Sequence, residues 1–137
     1  KRMTSEVFAL ATAVLFQSAV QHFALAPNNL TDASSWAVEF MKNVPTTWDE
    51  VKFIDGYPGK YVILARRSGD KWYIAGVNAE EKPLVKTIDL PMFKAETPVK
   101  LYSDDNSLNG SLKEVKTSKK QQVTITIPCN GGVVIMK

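Results

Sequence analysis

Cysteine and histidine are nearly absent from this chain, and their scarcity removes most familiar site chemistry. Cys129 is the single cysteine, so no disulfide can close within the chain and no cysteine-based zinc site can be built. Beside a turn, it reads as a small packing thiol rather than a nucleophile. His22 is the single histidine. A histidine-rich metal cluster is therefore excluded, and a Ser-His-Asp arrangement would need this one residue as its base. Its neighbours Val20, Phe23 and Leu25 give it the setting of a packing or helix-face residue.

Concentrated charge is also lacking. The net charge of +3 comes from 17 basic and 14 acidic residues spread along 137 positions, nowhere denser than Lys113, Lys116, Lys119 and Lys120. A nucleic-acid surface needs a basic face with interleaved aromatics, so no nucleic-acid partner is expected. A membrane-spanning run is missing as well, because Thr12, Gln17, Ser18, Gln21 and His22 interrupt the one long apolar segment. Lys1-Arg2 ahead of Val7 to Phe16 imitates a secretory signal. The apolar period continues through Phe23, however, and a buried soluble helix is expected instead, with no membrane partner. Internal repeats, low-complexity runs and linkers are absent. At 45% hydrophobic and 23% charged, the chain has the composition of one folded unit with appended helices.

What is present is a single change of hydrophobic period, from about 3.6 to 2, near Val44-Pro45-Thr46-Thr47-Trp48-Asp49-Glu50. Before it, a helix is predicted from Thr4 to Leu25, with Glu6 in the first turn, where the helix dipole favours an anion, and Pro27-Asn28-Asn29 as its stop. This helix carries two apolar stripes. Phe8, Leu15, Phe16, Ala19, Val20 and Phe23 form the broader one; Val7, Leu10, Val14 and Leu25 form the other. The edge helix of a small domain needs only one stripe. Two stripes predict cover on two sides, as in a piece of something larger. A second helix is predicted over Asp32–Asn43, capped by Thr31 or Asp32 and stopped by Pro45. Its apolar edge, Trp36, Phe40, Met41 and Val44, is assigned to packing.

After the junction come short strands: Val51–Ile54, Lys60–Arg67, Lys71–Asn78, Leu84–Leu90, Val99–Ser103, Leu112–Thr117, Gln122–Ile127 and Val133–Met136. Asp55-Gly56-Tyr57-Pro58-Gly59 and Ser68-Gly69-Asp70 mark turns, and Gly131-Gly132 joins the last pair. The fold predicted is mainly β, an antiparallel sandwich of about eight strands preceded by two helices. Residues 1–45 form the helical segment and residues 46–137 the β domain. On the Lys71–Asn78 strand, Trp72 is expected to be a core anchor.

Few constellations suggest chemistry. Asp49, Glu50 and Asp55 stand among Trp48, Phe53 and Tyr57, and an acid/base pair would need two of them facing across a cleft. A solvated loop, with Asp55 serving its glycine turn, is the simpler reading. Asp104-Asp105-Asn106 offers oxygens but lacks the spacing of a calcium loop, so a turn is expected. Gly131-Gly132 has no lysine-and-helix context for phosphate. Trp48, Tyr57, Tyr61, Trp72 and Tyr73 contain material for a sugar-stacking platform, although Trp72 and Tyr73 must point to opposite faces.

These residues carry a resemblance. Val44-Pro45-Thr46-Thr47-Trp48-Asp49-Glu50, Asp55-Gly56, Gly59-Lys60-Tyr61, and Ala65-Arg66-Arg67-Ser68-Gly69-Asp70-Lys71-Trp72-Tyr73-Ile74 with Asn78 resemble the C-terminal region of glycoside hydrolase family 97. Upstream, Phe16-Gln17-Ser18, Gln21 and Pro27 fit the same region. The resemblance implies an α-glucosidase or α-galactosidase built from an N-terminal β-sandwich, a central (β/α)8 barrel and a C-terminal β domain. Catalytic carboxylates and calcium ligands lie in the first two parts, and none maps onto a position here. No catalytic, cofactor-binding or metal residue is therefore assigned, and calcium is implied only for the intact enzyme. The chain would hold the end of the barrel's helical layer and the C-terminal domain, which packs on the barrel and oligomerises. Its implied partners are the missing barrel and a second copy, and its implied location is periplasmic or secreted. The broader helix stripe is expected to pack internally, leaving Val7, Leu10, Val14 and Leu25 exposed as a helix-mediated interface. Two other readings remain at this stage: a free-standing carbohydrate-binding β-sandwich, and a secreted immunoglobulin-like adhesion domain.

Overall fold

The structure is a computed structural model that describes residues 6–15 and 34–137. Its elements run α1 (Glu6–Leu15), α2 (Ser35–Asn43), β1 (Glu50–Tyr57), β2 (Tyr61–Ser68), β3 (Lys71–Asn78), β4 (Leu84–Asp89), β5 (Pro98–Asp104), β6 (Gly110–Lys116), β7 (Gln122–Ile127) and β8 (Gly132–Met136). Six strands form one antiparallel sheet in the order β1-β2-β3-β8-β5-β6, and β4 pairs with β7 in a second, two-stranded sheet. The helices lie on one face of the large sheet and the small sheet lies on the other. The result is the expected sandwich, mainly β, with two helices among the described residues.

Strand alternation divides the core into two layers. Tyr73 and Ala75 of β3, Tyr102 of β5 and Val134 of β8 face the helices, where they meet Val7, Leu10, Val14, Ala37 and Phe40. Ile74, Leu101, Val133 and Ile135 point the other way and meet Ile88, Val123, Ile125 and Ile127 of the small sheet. A two-residue period therefore gives the central strands apolar residues on both faces. Each large side chain so buried contributes roughly 1.5–3 kcal/mol. Under α2, the ring centroids of Phe40 and Tyr102 are 5.1 Å apart, and those of Phe40 and Tyr73 are 6.0 Å apart, both edge-on.

Helix α1 departs from expectation. Val7, Leu10 and Val14 are 0%, 2% and 0% exposed, and Leu15, from the opposite stripe, is buried too. The stripe expected to stay open is thus inside the fold, packed on β3 and β8. The physical reason is the small-residue surface on both sides of the contact. Ala11, Thr12 and Ala13 keep the helix slim, and Gly132 on β8 admits its backbone. No interface can use Val7, Leu10 or Val14 in this fold; Leu25 and His22 lie outside the described residues.

Helix α2 starts at Ser35, its expected caps Thr31 and Asp32 lie outside the described residues, and the side chain of its N-cap Ser34 makes no cap bond to its own helix. The Ser34 amide and hydroxyl instead donate to the two Glu6 carboxylate oxygens, at 2.7 and 2.8 Å. Glu6 therefore ties the two helices together, beyond any effect on its own dipole. At the far end the Val44 amide donates to the Phe40 carbonyl at 2.8 Å, and Pro45 follows.

The first hairpin turns later than predicted. β1 continues through Tyr57, and the Lys60 amide closes the turn on the Tyr57 carbonyl at 2.9 Å, with Pro58 second and Gly59 third at φ +77°. Proline followed by a positive-φ glycine is the pairing that a type II turn requires. The last two strands, although consecutive, do not pair with each other. β7 lies in the small sheet with β4, whereas β8 lies between β3 and β5. Gly131-Gly132 is a step between sheets.

Candidate functional site

The carboxylates singled out in the sequence are all held by close neighbours. Asp49 Oδ2 accepts the Gly69 amide at 2.8 Å and lies 3.9 Å from the Arg67 guanidinium. Glu50 Oε1 accepts Arg67 Nε at 3.1 Å. Asp55 lies 3.2 Å from Lys86 Nζ, accepts the Gly56 amide at 2.8 Å and is approached by the Tyr61 hydroxyl at 3.3 Å. Desolvation pushes the Asp55 pKa up, but the Lys86 ammonium, the Gly56 amide and the Tyr61 hydroxyl together outweigh it and hold the carboxyl below its ordinary value. Its partner Lys86 is shifted upward by Tyr61 and Asp55. A general acid needs the opposite shift from that of Asp55.

The acidic turn is structural. Asp105 Oδ1 accepts the Ser107 and Asn109 amides, both at 2.9 Å, and the buried Asp104 accepts the Gly132 amide at 2.9 Å. Among the described residues, no three His, Cys, Asp or Glu side chains converge to hold a metal ion.

The aromatic set is split by the fold. Tyr73 is buried, and Trp48 stands edge-on to it at 5.5 Å with the Arg66 guanidinium 5.9 Å from its ring. Trp48 Nε1, with Nε and Nη1 of Arg66, is buried without a hydrogen-bond partner, and burial lowers the Arg66 pKa. Trp72 points to the other face and is half-buried, so Tyr73, not Trp72, is the anchor of β3. Tyr57 and Tyr61 are cross-strand partners at the β1–β2 turn, away from Trp48 and Tyr73. There Lys60 Nζ lies 5.4 Å from the Tyr57 ring centre, and Lys86 Nζ lies 5.4 Å from that of Tyr61.

Two features escaped the sequence reading. Asn78 is fully buried, donating to the Lys82 and Ile127 carbonyls at 2.9 Å each and accepting the Glu80 amide at 2.9 Å. It fastens β3 to the loop before β4 and to the end of β7. The second is a hollow of about 470 Å³ beside Phe53, Gly56, Tyr57, Lys60, Val62 and Val77. Next to it, β1 exposes Val51 (52%), Phe53 (65%) and Tyr57 (59%). The Val51-x-Phe53 alternation shows that these two share a face; nothing local shows that the face is open.

Comparison with known proteins agrees with this architecture. A family model described as glycosyl-hydrolase 97 C-terminal, oligomerisation, matches residues 47–136. A probable retaining alpha-galactosidase of Streptomyces bingchenggensis is 36% identical over 75 residues, covering 55% of this chain and 12% of that protein. A retaining alpha-galactosidase of Bacteroides thetaiotaomicron is 39% identical over 69 residues, covering 50% of this chain and 10% of that protein. The chain thus spans about a tenth of the length of these curated relatives. A crystal structure of a beta-arabinopyranosidase matches all of this chain at TM-score 0.91 and 52% identity, over 22% of its own length. A glycoside hydrolase family 97 enzyme from Pseudoalteromonas sp. strain K8, in complex with acarbose, shares the fold at TM-score 0.60 and 20% identity, over 85% of this chain and 19% of that one.

Proposed function

Because this chain belongs to the C-terminal oligomerisation domains of glycoside hydrolase family 97, we propose that it is the non-catalytic end of a longer α-glycosidase, packing on the catalytic barrel and holding protomers together. The observation that carries this reading is the occupation of Asp49, Glu50 and Asp55. Each is spent on an arginine, a lysine or a backbone amide of its own surroundings. Glycoside hydrolysis needs two carboxyl groups about 5–9.5 Å apart, aimed at one bond. The chemistry is therefore assigned to the upstream part of the polypeptide, and calcium, in this reading, is bound there too.

The relatives support a narrower proposal for the sugar. Two are alpha-galactosidases and one is a beta-arabinopyranosidase. A β-L-arabinopyranoside has the ring stereochemistry of an α-D-galactoside and lacks only the substituent at C5. This favours a galacto-configured pyranoside over a glucoside as substrate of the whole enzyme. The resemblance also supports a periplasmic or secreted location.

The assay is release of nitrophenol from α-galactoside, α-glucoside and β-L-arabinopyranoside, with and without calcium. The 137-residue chain is expected to release none, and the longer polypeptide carrying a barrel is expected to prefer the galacto-configured substrates. Hydrolysis by the chain alone that disappears in Asp49→Ala or Glu50→Ala would overturn the reading.

A further inference from the structure

We infer that Trp48 and Arg66 form a binding site for a carboxylate, built from the indole Nε1 and from Nε and Nη1 of the guanidinium. The site lies on the helix side of the large sheet, and its existence does not depend on the non-catalytic role proposed above.

The adjacent arginines of β2 have opposite fates, because successive side chains of a strand point to opposite faces. Arg67 Nε donates to Glu50 Oε1 at 3.1 Å, its Nη1 donates to the Gly69 carbonyl at 2.7 Å, and Asp49 Oδ2 lies 3.9 Å away. Arg66 stands opposite Val51 on one side and Tyr73 on the other, on the face of the helix-side core. None of the ion pairs found among the described residues involves it. The acids at the start of β1 are taken by Arg67, and none is left for Arg66.

Burial makes that isolation costly. Nε and Nη1 of Arg66 and Nε1 of Trp48 are enclosed, and none has an acceptor among the described residues. The Trp48 ring, 5.9 Å from the guanidinium carbon, offers the cation its π face. A π face steadies the charge but does not accept the in-plane N–H bonds. Desolvation alone lowers the Arg66 pKa, with no acidic neighbour working against it. A charge withdrawn from water is retained cheaply only when it is paired and hydrogen-bonded. Buried donors without an acceptor are rare in folded proteins, and here three of them sit on two side chains in contact. Trp48 is held for this by Tyr73, edge-on at 5.5 Å.

Donors alone select a group that only accepts. One guanidinium balances one negative charge, and the neighbouring Arg67 is already engaged by Glu50. A planar carboxylate therefore suits the site better than a phosphate dianion. A neutral saccharide brings no charge to compensate the cation. Both residues are half-buried rather than enclosed, and Nη2 of Arg66 is not among the enclosed atoms, so a small acid has an approach. The carboxylate has two sources, a side chain elsewhere in a longer polypeptide or an acid in solution, and the contact is chemically the same for both.

Formate is the probe. The Nε1–H resonance of Trp48 and the Nε–H resonance of Arg66 are followed by NMR in the 137-residue chain as formate replaces chloride at constant ionic strength. Both should move along one saturable curve. Formate should also raise the thermal midpoint, since a ligand of the folded state stabilises it by mass action. Trp48→Phe keeps a ring but loses the donor, and should bind formate several-fold more weakly. Arg66→Met removes an uncompensated charge, so without formate its midpoint should match or exceed that of the wild type, and formate should no longer raise it. A midpoint for Arg66→Met well below that of the wild type without formate would show that the arginine has a partner within the chain and overturn the inference. Resonances that formate leaves unmoved would overturn it too, leaving water or an adventitious ion only at these donors. An equal response to inorganic phosphate would overturn the choice of a carboxylate. A longer polypeptide carrying the barrel separates the sources. Resonances already at their formate-bound positions assign the carboxylate to the polypeptide, and resonances that still titrate assign it to solution.

Discussion

Gly132 and Phe8 meet backbone to backbone. A Cβ built on Gly132 would lie 2.8 Å from the Phe8 Cα, 2.9 Å from the Val7 carbonyl oxygen and 3.0 Å from the Phe8 nitrogen. Strand β8 accepts helix α1 at this distance only because a hydrogen stands where a methyl group would be. The whole helix-side core depends on that approach, since Val7, Leu10 and Val14 enter it from α1.

Gly132→Ala is accordingly expected to destabilise the chain by about 1–3 kcal/mol, the usual cost of forcing extra volume into a packed site. Gly110→Ala should cost less. Its Cβ would meet the side-chain tips of Val7 and Trp36, at 2.8 and 2.9 Å, and these can shift where a backbone cannot. Urea denaturation of the two variants checks the order, and a reversal of it would show that α1 slides on the sheet.

Tyr73 and Trp72 give a second contrast. Tyr73 is buried between Phe40 and Trp48, whereas Trp72 is half-buried at the margin of the inter-sheet core. Tyr73→Ala should cost ~3–5 kcal/mol, as large aromatic deletions in a core do. Trp72→Ala should cost clearly less. Equal losses in chemical denaturation would contradict this placement.

Asn78→Leu should be strongly destabilising, because it strands the Lys82 and Ile127 carbonyls and the Glu80 amide. The Ile127 bond is the fully buried one, and a buried group left unsatisfied costs about 1–3 kcal/mol. Asn78→Asp should be worse at neutral pH, where a carboxylate would face two carbonyl oxygens, and should recover partly on acidification as the carboxyl regains a donor proton. A thermal midpoint for Asn78→Asp that is flat from neutral to acid pH would argue against these bonds.

The Asp55–Lys86 pair predicts a pH effect whose sign follows from the direction of each shift. Asp55 titrates below its ordinary value in the folded chain. Its contribution to stability is therefore present above the ordinary aspartate pKa and is lost as pH falls through the lowered, folded one. Lys86 is shifted upward, so its contribution is present below the ordinary lysine pKa and is lost as pH rises through the raised one. Lys86→Met should move the Asp55 carboxyl resonance to titrate at higher pH and shrink the acid limb of the stability curve. An unchanged Asp55 titration by NMR would show that the pair is not formed in solution.

The strands themselves were legible in the sequence. Alternation and turn residues set β3 at Lys71–Asn78 and β7 at Gln122–Ile127, the bounds found in the fold. Local chemistry suffices there because a two-residue period, bounded by glycine, serine or proline, has few other solutions. The candidate site was legible only in part. Phe53 and Tyr57 stood out as aromatics near carboxylates, but the openness of β1 depends on its place at the end of the sheet.

Periodicity states which residues share a face; it does not state what covers that face. The sequence by itself thus determined the elements, the two apolar stripes of α1, the absence of a metal-binding cysteine or histidine set, and the family. Only the tertiary structure decided that Val7, Leu10 and Val14 go inside, that Tyr73 rather than Trp72 is the anchor, and that β7 pairs with β4 while its neighbour in sequence, β8, crosses to the other sheet. Those outcomes depend on contacts between segments far apart along the chain, where the close approach allowed by one glycine or the position of one edge strand outweighs any local preference.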